Sequence, residues 1–335
     1  MLLSMPDSLS PPAPLNTQTI RILGCPLECG LGVRGTGMGP AAFRTAGLIE
    51  ALRDLGHEVR DHGDVAAPHV DADAASPPGT RNFPEVRAWS RRLADEAFAL
   101  AQAGGVPVFL GGDHALAFGT IAGIARHCRA RGRELAVLWV DAHADFNAPH
   151  SSPSGNMHGM PTAFLTGDPS LQALFNPGEF TPLRYQALHL FGLRSVDREE
   201  RRRLSATGIH CTEMRAIDEA GVAAPLRALL AALAAGPNVH LHVSFDADLL
   251  DPTLAPGVGV AVPGGATTRE AHLIMELLHE SGLVGSVDMV ELNPFLDERG
   301  RTARLLTELL ASLFGRVVLD RPAARTLAVD PGTAS

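Results

Sequence analysis

The chain has 335 residues, of which 45% are hydrophobic, and its formal net charge is −9 at pH 7. Its 28 basic Lys or Arg residues are all arginines, since the sequence contains no lysine. This absence excludes Schiff-base catalysis and a P-loop lysine, and the acidic balance argues against nucleic acid or an anionic membrane as partner.

The two ends and the cysteines bear on compartment. The stretch 1–18 is rich in proline and serine and has no basic start, so we expect a flexible tail rather than a signal peptide. We expect a second tail over 321–335. No apolar run approaches the ~20 residues of a membrane span. Cys25 and Cys29 form a C-x-x-x-C without a second pair, which favours reduced, mostly buried thiols and a cytoplasmic protein over a zinc site.

Short apolar runs rich in β-branched residues alternate with Ala/Leu-rich segments of helical period, which is typical of repeated β-α units. We predict strands at 19–25, 58–61, 106–110, 135–141, 187–192, 207–211, 239–246 and 283–291. We predict helices at 40–55, 84–103, 115–127, 222–235, 268–281 and 301–314. No linker interrupts 19–320. The pattern therefore predicts an α/β protein: a single three-layer α/β/α domain with an eight-stranded, mostly parallel sheet.

Several predicted strands run directly into acids or histidines, in the segments VFLGGDH, LWVDAHAD, VSFDAD and DMVELNP. The carboxyl ends of the strands form the ligand-binding edge of an open parallel sheet, so we expect these segments to converge. In DAHAD and DAD the ionisable residues are spaced two apart, which places them on one side of an extended backbone. The candidate metal ligands are His114, Asp141, His143, Asp145, Asp246 and Asp248.

Four carboxylates beside an apolar sheet carry a heavy desolvation and repulsion penalty unless they are protonated or bind cations. A single D-x-D or H-x-D is common as a surface turn or helix cap, but the full set at strand ends favours a metal site. Two divalent ions match the charge of four carboxylates, whereas one does not. Oxygen-rich ligation with two histidines favours Mn²⁺ over Zn²⁺, and two ions ~3.5 to 4 Å apart generate hydroxide at neutral pH.

Five segments, GGDHALAFG, DAHADFN, SGNMHGMP, SFDADLLDP and ELNP, resemble in order and spacing the signature segments of the ureohydrolase family, most closely its arginase branch. The resemblance covers about 19–320. It implies an eight-stranded three-layer fold, two Mn²⁺ per subunit and a homotrimer or homohexamer. It implies that one ion is held by His114, Asp141, Asp145 and Asp246. It implies that the other is held by His143, Asp141, Asp246 and Asp248, with Asp141 and Asp246 bridging.

The resemblance also implies catalytic roles. The reaction would be hydrolysis of L-arginine to L-ornithine and urea by a metal-bridging hydroxide. Asp145 would bond that hydroxide and pass its proton to the leaving amine, His158 would shuttle protons, and Glu291 would pair with the substrate guanidinium. General chemistry agrees, because a carboxylate is the natural bidentate partner of a guanidinium and histidine exchanges protons near neutral pH.

The loop NAPHSSPSGNMH resembles the arginase loop that contacts the substrate carboxylate, and GLRSVD resembles the segment near its ammonium group. The implied substrate-binding residues are Asn147, Ser152, Ser154, Asn156, Asp197, Glu200 and Glu291. Ordinary turn chemistry is the alternative for the Ser/Asn loop. Ser195 and Val260 stand where the family usually has Asp and Thr. Alternatives left open are another amidinohydrolase, acting on agmatine or a guanidino acid, and a silent metal-binding homologue.

Overall fold

A computed structural model describes residues 17–71 and 75–319. In this part of the chain eight strands form one sheet in the order β2-β1-β3-β8-β7-β4-β5-β6, and every pairing is parallel. The strands are β1 Thr19–Gly24, β2 Glu58–Asp64, β3 Val106–Leu110, β4 Glu134–Val140, β5 Leu188–Leu193, β6 His210–Glu213, β7 Val239–Asp246 and β8 Val284–Val290. The predicted eight-stranded sheet is confirmed.

Ten α-helices connect or follow these strands in the described ranges. They are α1 Gly39–Thr45, α2 Leu48–Asp54, α3 Phe83–Gln102, α4 Ala117–Ala130, α5 Pro161–Leu165, α6 Arg198–Leu204, α7 Met214–Ala220, α8 Ala223–Ala234, α9 Thr268–Ser281 and α10 Arg301–Leu313. The single helix predicted over 40–55 is wrong, because Gly47 adopts a left-handed conformation (φ 84°) that separates α1 from α2. The short helices α5, α6 and α7 were not predicted.

Alternate residues of the central strands feed two separate cores, which creates the three layers. In β4, Leu138 and Val140 pack with α1, α2 and α7 to α10 on one face of the sheet. Val137 and Trp139 pack with α3, α4 and α5 on the other. This period-two alternation between two buried faces is the reason a continuous apolar run forms a central strand.

Helices α3 and α4 approach each other at two glycines. A Cβ added at Gly119 would lie 2.5 Å from the Ser90 carbonyl oxygen, and one at Gly123 would lie 2.4 Å from that of Ala94. Any side chain at these positions would therefore push the two helices apart. The close contact fixes the start of α4, which follows the turn that carries His114.

Strand β7 is unusual because one of its buried faces is polar. Leu241, Val243 and Phe245 pack into the first core. The alternate residues His240, His242 and Ser244 are also buried but polar. Ser286 of β8 satisfies two of them, since its Oγ lies 2.8 Å from His242 Nδ1 and 2.9 Å from His240 Nε2. This polar stripe leads along the sheet to Asp246.

No helix in the described ranges is long and apolar enough to cross a membrane. The predicted tail over 321–335 lies outside the described residues, as does 1–16 of the tail predicted over 1–18. Residue 18 belongs to the folded part, because the Gln18 backbone N–H donates to His57 Nδ1 at 3.2 Å. The four cysteines are free thiols: Cys25 and Cys128 are buried, while Cys211 is exposed.

Candidate metal centre

The six predicted ligands converge at the carboxyl edge of the sheet. Asp246 is the last residue of β7 and Asp141 directly follows β4. His114 lies in the short 3-10 turn after β3. The strands of a parallel sheet end at the same edge, so these side chains meet in space although His114 and Asp246 are 132 residues apart in sequence.

One group of ligand atoms surrounds the imidazole of His114. Its Nδ1 lies 3.1 Å from Asp141 Oδ2, 3.0 Å from Asp246 Oδ2 and 3.4 Å from Asp145 Oδ2. Ligand atoms of His114, Asp141 and Asp246 all lie within 4.8 Å of one another. All of these side chains are buried. This is one compact set of imidazole and carboxylate donors.

A second group adjoins the first through Asp141. His143 Nδ1 lies 2.8 Å from Asp248 Oδ2 and 3.5 Å from Asp141 Oδ1. Ligand atoms of Asp141, His143 and Asp248 also lie within 4.8 Å of one another. The two oxygens of Asp141 therefore face different histidines, which is the arrangement of a carboxylate that can bridge two ions. Asp246 belongs only to the first group, with His114 and Asp141.

Local backbone hydrogen bonds set the directions of these carboxylates. Asp141 Oδ1 accepts from the His143 N–H at 2.6 Å, and Asp246 Oδ1 accepts from the Asp248 N–H at 2.7 Å. Each aspartate thus closes a turn onto the residue two positions later, as short acids often do. Asp145 has a left-handed backbone (φ 49°), which turns its carboxylate back toward His114.

The four aspartates of the cluster are buried close together, which shifts their pKa values. Burial, together with neighbouring carboxylates, raises the pKa values of Asp145 and Asp246 well above the ordinary range, and that of Asp248 to about 6. Burial opposes ionisation of Asp141 too, but bonds with His114 and His143 lower its pKa. Crowded carboxylates of this kind are all ionised only beside a counter-charge, which divalent cations can supply.

Two buried neighbours hold the ligands in place. The ring of Trp139 stacks on that of His114 with centroids 3.9 Å apart, and its Nε1–H donates to Asp141 Oδ2 at 3.0 Å. Ser244 Oγ lies 2.9 Å from His114 Nε2. An imidazole whose second nitrogen is bonded has a fixed orientation, which favours metal binding by the first. Neither neighbour was predicted, although both lie within the quoted motifs.

Glu291 and His158 meet beside this cluster. His158 Nδ1 lies 3.0 Å from Glu291 Oε1, which also accepts from the His114 backbone N–H at 2.8 Å. Burial lowers but Glu291 raises the pKa of His158, and the net change is upward. Glu291 has φ 65°, and its Oε2 is buried without a hydrogen-bond partner among the described residues. That oxygen is a free acceptor for a cationic group.

A narrow cavity of ≈ 10 Å³ lies between these groups and the candidate metal ligands. It has room for about one water molecule. Its lining consists of His143, Asp145, His158, Asp246, Asp248, Val258, Val260 and Glu291. A ligand larger than one water molecule must therefore displace part of this lining, of which Val260 is the most exposed residue, at 37%.

Asp113, which is not among the predicted site residues, positions the backbone around His114. Its Oδ2 accepts from the backbone N–H groups of Gly30 and Leu31 at 2.7 and 3.0 Å, and its Oδ1 from that of Ala115 at 3.0 Å. These bonds tie the loop after β1 to the turn that carries His114. The only sequence signal was its place next to a candidate ligand.

The predicted substrate loop does not line the narrow cavity. Ser152 Oγ accepts from the Gly155 N–H at 3.0 Å, and Ser154 Oγ accepts from the Asn156 N–H at 3.1 Å. Asn147 Nδ2 donates to Asp197 Oδ2 at 3.2 Å. The structure thus gives these side chains the turn contacts that were the alternative interpretation, while leaving Ser154 exposed to solvent.

Asp197 and Glu200 open α6. Glu200 is buried, and it accepts from the N–H groups of Phe146 at 2.7 Å and Asp197 at 3.2 Å. Burial raises the pKa of Glu200 to about 7. Ser195 is half-buried and hydrogen-bonds through its backbone to Ala142. Glu200 thus links α6 to the segment after Asp145, whereas Asp197 is exposed.

Fold and site together define a class: an open, all-parallel α/β/α protein with a carboxylate-rich cluster, containing two histidines, at its strand carboxyl ends. The Arginase family model matches residues 18–315. An arginase from Agrobacterium fabrum is 49% identical over 305 residues, covering 91% of this chain and 93% of that protein. The solved arginase of Bacillus caldovelox superposes with a TM-score of 0.83 at 38% identity, covering 90% of this chain and 100% of that one. The chain belongs to the arginase family.

Proposed function

We propose that this enzyme hydrolyses L-arginine to L-ornithine and urea at a centre of two Mn²⁺ ions per subunit. The observation that carries the proposal is the pair of ligand groups joined by Asp141, next to the free Oε2 of buried Glu291. A dimetal cluster beside a buried acid suits a substrate with a planar cation. Relatives named arginase, at 49% and 48% identity over about nine-tenths of the chain, support the same function.

The residues fit the proposed metal pair. One ion would be held by His114, Asp141, Asp145 and Asp246. The other would be held by His143, Asp141, Asp246 and Asp248. Oxygen donors outnumber nitrogen donors and no thiol takes part, which favours Mn²⁺ over Zn²⁺. When bound, such ions make hydroxide available at neutral pH and stabilise charge that develops in the transition state.

Glu291 would hold the guanidinium in place for attack. Its Oε2 accepts an N–H of the substrate, while Oε1 stays anchored by the His114 backbone N–H at 2.8 Å. His114 would supply both a metal-ligand side chain and this backbone anchor. Its position would therefore fix the guanidinium relative to the metal ligands. A charge-assisted bond of this type orients as well as binds, which favours the productive geometry.

The protons are assigned to Asp145 and His158. Water adds its oxygen to the guanidinium carbon, and Asp145 accepts a proton from it. The bond from that carbon to the side-chain nitrogen of ornithine then breaks, and Asp145 donates the proton to this nitrogen. His158, which is partly exposed, exchanges protons between the site and solvent through its ring nitrogens. The second water proton leaves the urea oxygen and reaches the ornithine nitrogen by way of His158, so the products are urea and ornithine with a protonated side-chain amine.

The amino-acid end of the substrate is assigned to the rim loop and α6. Asn147, Ser152 and Ser154 would bind the carboxylate, with Asn156 shaping the loop. Asp197, and Glu200 through water, would bind the ammonium group. Supporting this, the bond from Asn147 to Asp197 joins the loop to the start of α6, and Ser154 and Asp197 are exposed to solvent. Serine at 195 would remove one acidic contact to the ammonium, and valine at 260 would remove one polar contact at the rim.

Three further assignments belong to this proposal. The catalytic domain would span 19–320, and the enzyme would act as a homotrimer or homohexamer in the cytoplasm. Four free cysteines suit a reducing compartment. Light scattering coupled to size exclusion tests the assembly, and a monomer at micromolar concentration would contradict it.

A urea assay with arginine, agmatine and a guanidino acid, each with and without added Mn²⁺, tests the reaction. We expect Mn²⁺-dependent urea release with arginine far above the other substrates. Preference for agmatine or a guanidino acid would favour another amidinohydrolase. No turnover of any substrate by the metal-loaded protein would support a silent metal-binding homologue.

A further inference from the structure

A second polar cavity lies at the opposite edge of the sheet, where the strands begin. It measures ≈ 640 Å³ and is lined by the first residues of several strands and by the ends of α3, α4 and α9. β7 has eight residues, so this cavity lies roughly 20 Å from Asp246 at a strand rise of ~3.3 Å per residue. It is therefore separate from the metal centre.

The cavity is basic although the chain is acidic. Its titratable lining residues are His127, Arg131, Arg133 and His240, and none of its lining residues is Asp or Glu. Burial, then Arg131 and Arg133, lower the pKa of His127. Burial, then Arg133 and the nearby histidines, lower that of His240 to about 3. No acid contributes to either change, so the local potential is positive.

Three nitrogen atoms of this lining are buried and have no hydrogen-bond partner in the described part of the chain. They are His127 Nδ1, Arg133 Nε and His240 Nδ1. His127 is 9% exposed and His240 is 3% exposed. A buried polar atom without a partner costs free energy, and several on the wall of one cavity indicate a ligand that bonds them.

The His240 ring and the guanidinium groups of Arg131 and Arg133 are held in place. Ser286 Oγ lies 2.9 Å from His240 Nε2, and a Cβ added at Gly285 would lie 2.4 Å from His240 Cε1. Arg133 donates to the Val239 carbonyl at 2.8 Å, and Arg131 to Gln102 Oε1 at 3.2 Å. The donors are therefore arranged before any ligand binds, which lowers the entropic cost of binding.

The end of α3 carries its own counter-charge at this edge. Carbonyl groups at the end of a helix carry partial negative charge. After α3, however, the Ala103 and Gly104 carbonyls accept from Arg21 at 2.9 and 2.6 Å. A third guanidinium thus offsets the carbonyls at the end of α3, and with Arg131 and Arg133 in the lining an anion is favoured over a cation.

We propose that this cavity is an anion-binding site for a phosphate group, free or carried by a small phosphate monoester. A phosphate has acceptor oxygens on all sides and pairs well with guanidinium donors. Arg131 and Arg133 supply the charge, and His127 and His240 supply donors from the buried wall. The site does not depend on the proposed arginine hydrolysis, since it shares no residue with the metal centre.

Calorimetric titration of the full-length, Mn²⁺-loaded protein tests this, with inorganic phosphate in one arm and ribose 5-phosphate in the other. We expect saturable binding, at least tenfold weaker in Arg131→Gln/Arg133→Gln and weaker in His127→Phe, which keeps the ring volume. Arg129→Gln is the matched control: its guanidinium contacts Thr181 Oγ1 at 2.8 Å, and it should bind as wild type does. Tighter binding of one probe identifies the free or the esterified form.

Phosphate bound at the metal centre is distinguished by ³¹P relaxation. Bound phosphate in the second cavity should show weak paramagnetic broadening at roughly 20 Å from Mn²⁺, whereas phosphate on the ions would be broadened strongly. The proposal is overturned by the absence of saturable binding, by unchanged affinity in both folded cavity variants, or by strong broadening of all bound phosphate. This result does not depend on whether the protein releases urea from arginine.

Discussion

Replacing Glu291 with glutamine tests the proposed hold on the guanidinium. The amide keeps an oxygen that can accept from the His114 N–H, now at 2.8 Å, and keeps the volume of the buried side chain. It loses the negative charge at the free Oε2. A hydrogen bond to a charged group contributes about 1.5 to 3 kcal/mol, which corresponds to a fall in kcat/KM of roughly 10- to 150-fold. Steady-state urea release from arginine measures it.

The matched control is Glu298→Gln, at an exposed position in the loop between β8 and α10, where Glu298 pairs with Arg301 at 3.2 Å. It makes the same chemical change without touching the site, so kcat/KM should stay within about twofold. Metal content and far-UV circular dichroism should match wild type in both variants. If Glu291→Gln retains metal and fold yet keeps wild-type kcat/KM, Glu291 does not hold the guanidinium.

Three further substitutions test other parts of the account. Asp141→Asn, which removes the carboxylate facing both histidines, should abolish metal binding, and wild-type metal content by elemental analysis would refute the shared-ligand assignment. Trp139→Phe keeps the ring on His114 but removes the donor to Asp141, so Mn²⁺ affinity should fall about tenfold; unchanged affinity in a metal titration would deny it a role. The pKa of His240 is lowered to about 3 in the folded protein, whereas an unperturbed histidine has a pKa of about 6.5. The unfolded chain therefore binds a proton at His240 more tightly than the folded protein does, and stability is lost as pH falls below about 6.5. Between pH 8 and pH 5, wild type should lose about 2 kcal/mol more unfolding free energy than His240→Gln, measured by urea denaturation in phosphate-free buffer, and equal losses would contradict this.

Much of the fold followed from local sequence signals. The strand over 106–110 was predicted with the bounds that the structure has, and so was the one over 239–246. Apolar runs bounded by loop residues mark buried parallel strands well. The six ligand candidates could be placed together because parallel strands end at one edge, so a few correct strand ends bring distant residues to one place.

Other features depend on the conformation of a single residue or on contacts between distant segments, and hydrophobic patterns do not predict these. Gly47 breaks a helix that looks continuous by hydrophobic period, since its left-handed backbone outweighs the pattern. The polar face of β7 is stable only because Ser286 on the neighbouring strand completes its hydrogen bonds. The roles of Trp139 and Ser244 likewise depend on His114, which comes from another part of the chain.

The substrate loop shows a further limit. Ser152, Ser154 and Asn147 are as well suited to turns as to carboxylate binding, and the structure gives them turn contacts. Residue type alone does not distinguish a side chain that hydrogen-bonds within its own loop from one that binds a ligand. The candidate metal ligands differ, because a buried charge without a partner carries a large cost in free energy.

Anomalous X-ray scattering at the manganese edge, from crystals of the Mn²⁺-loaded protein, tests whether two ions bind on either side of Asp141. We expect two peaks about 3.5 to 4 Å apart, one beside His114 and one beside His143, with Asp141 between them. A single peak, or two peaks away from these side chains, would contradict it.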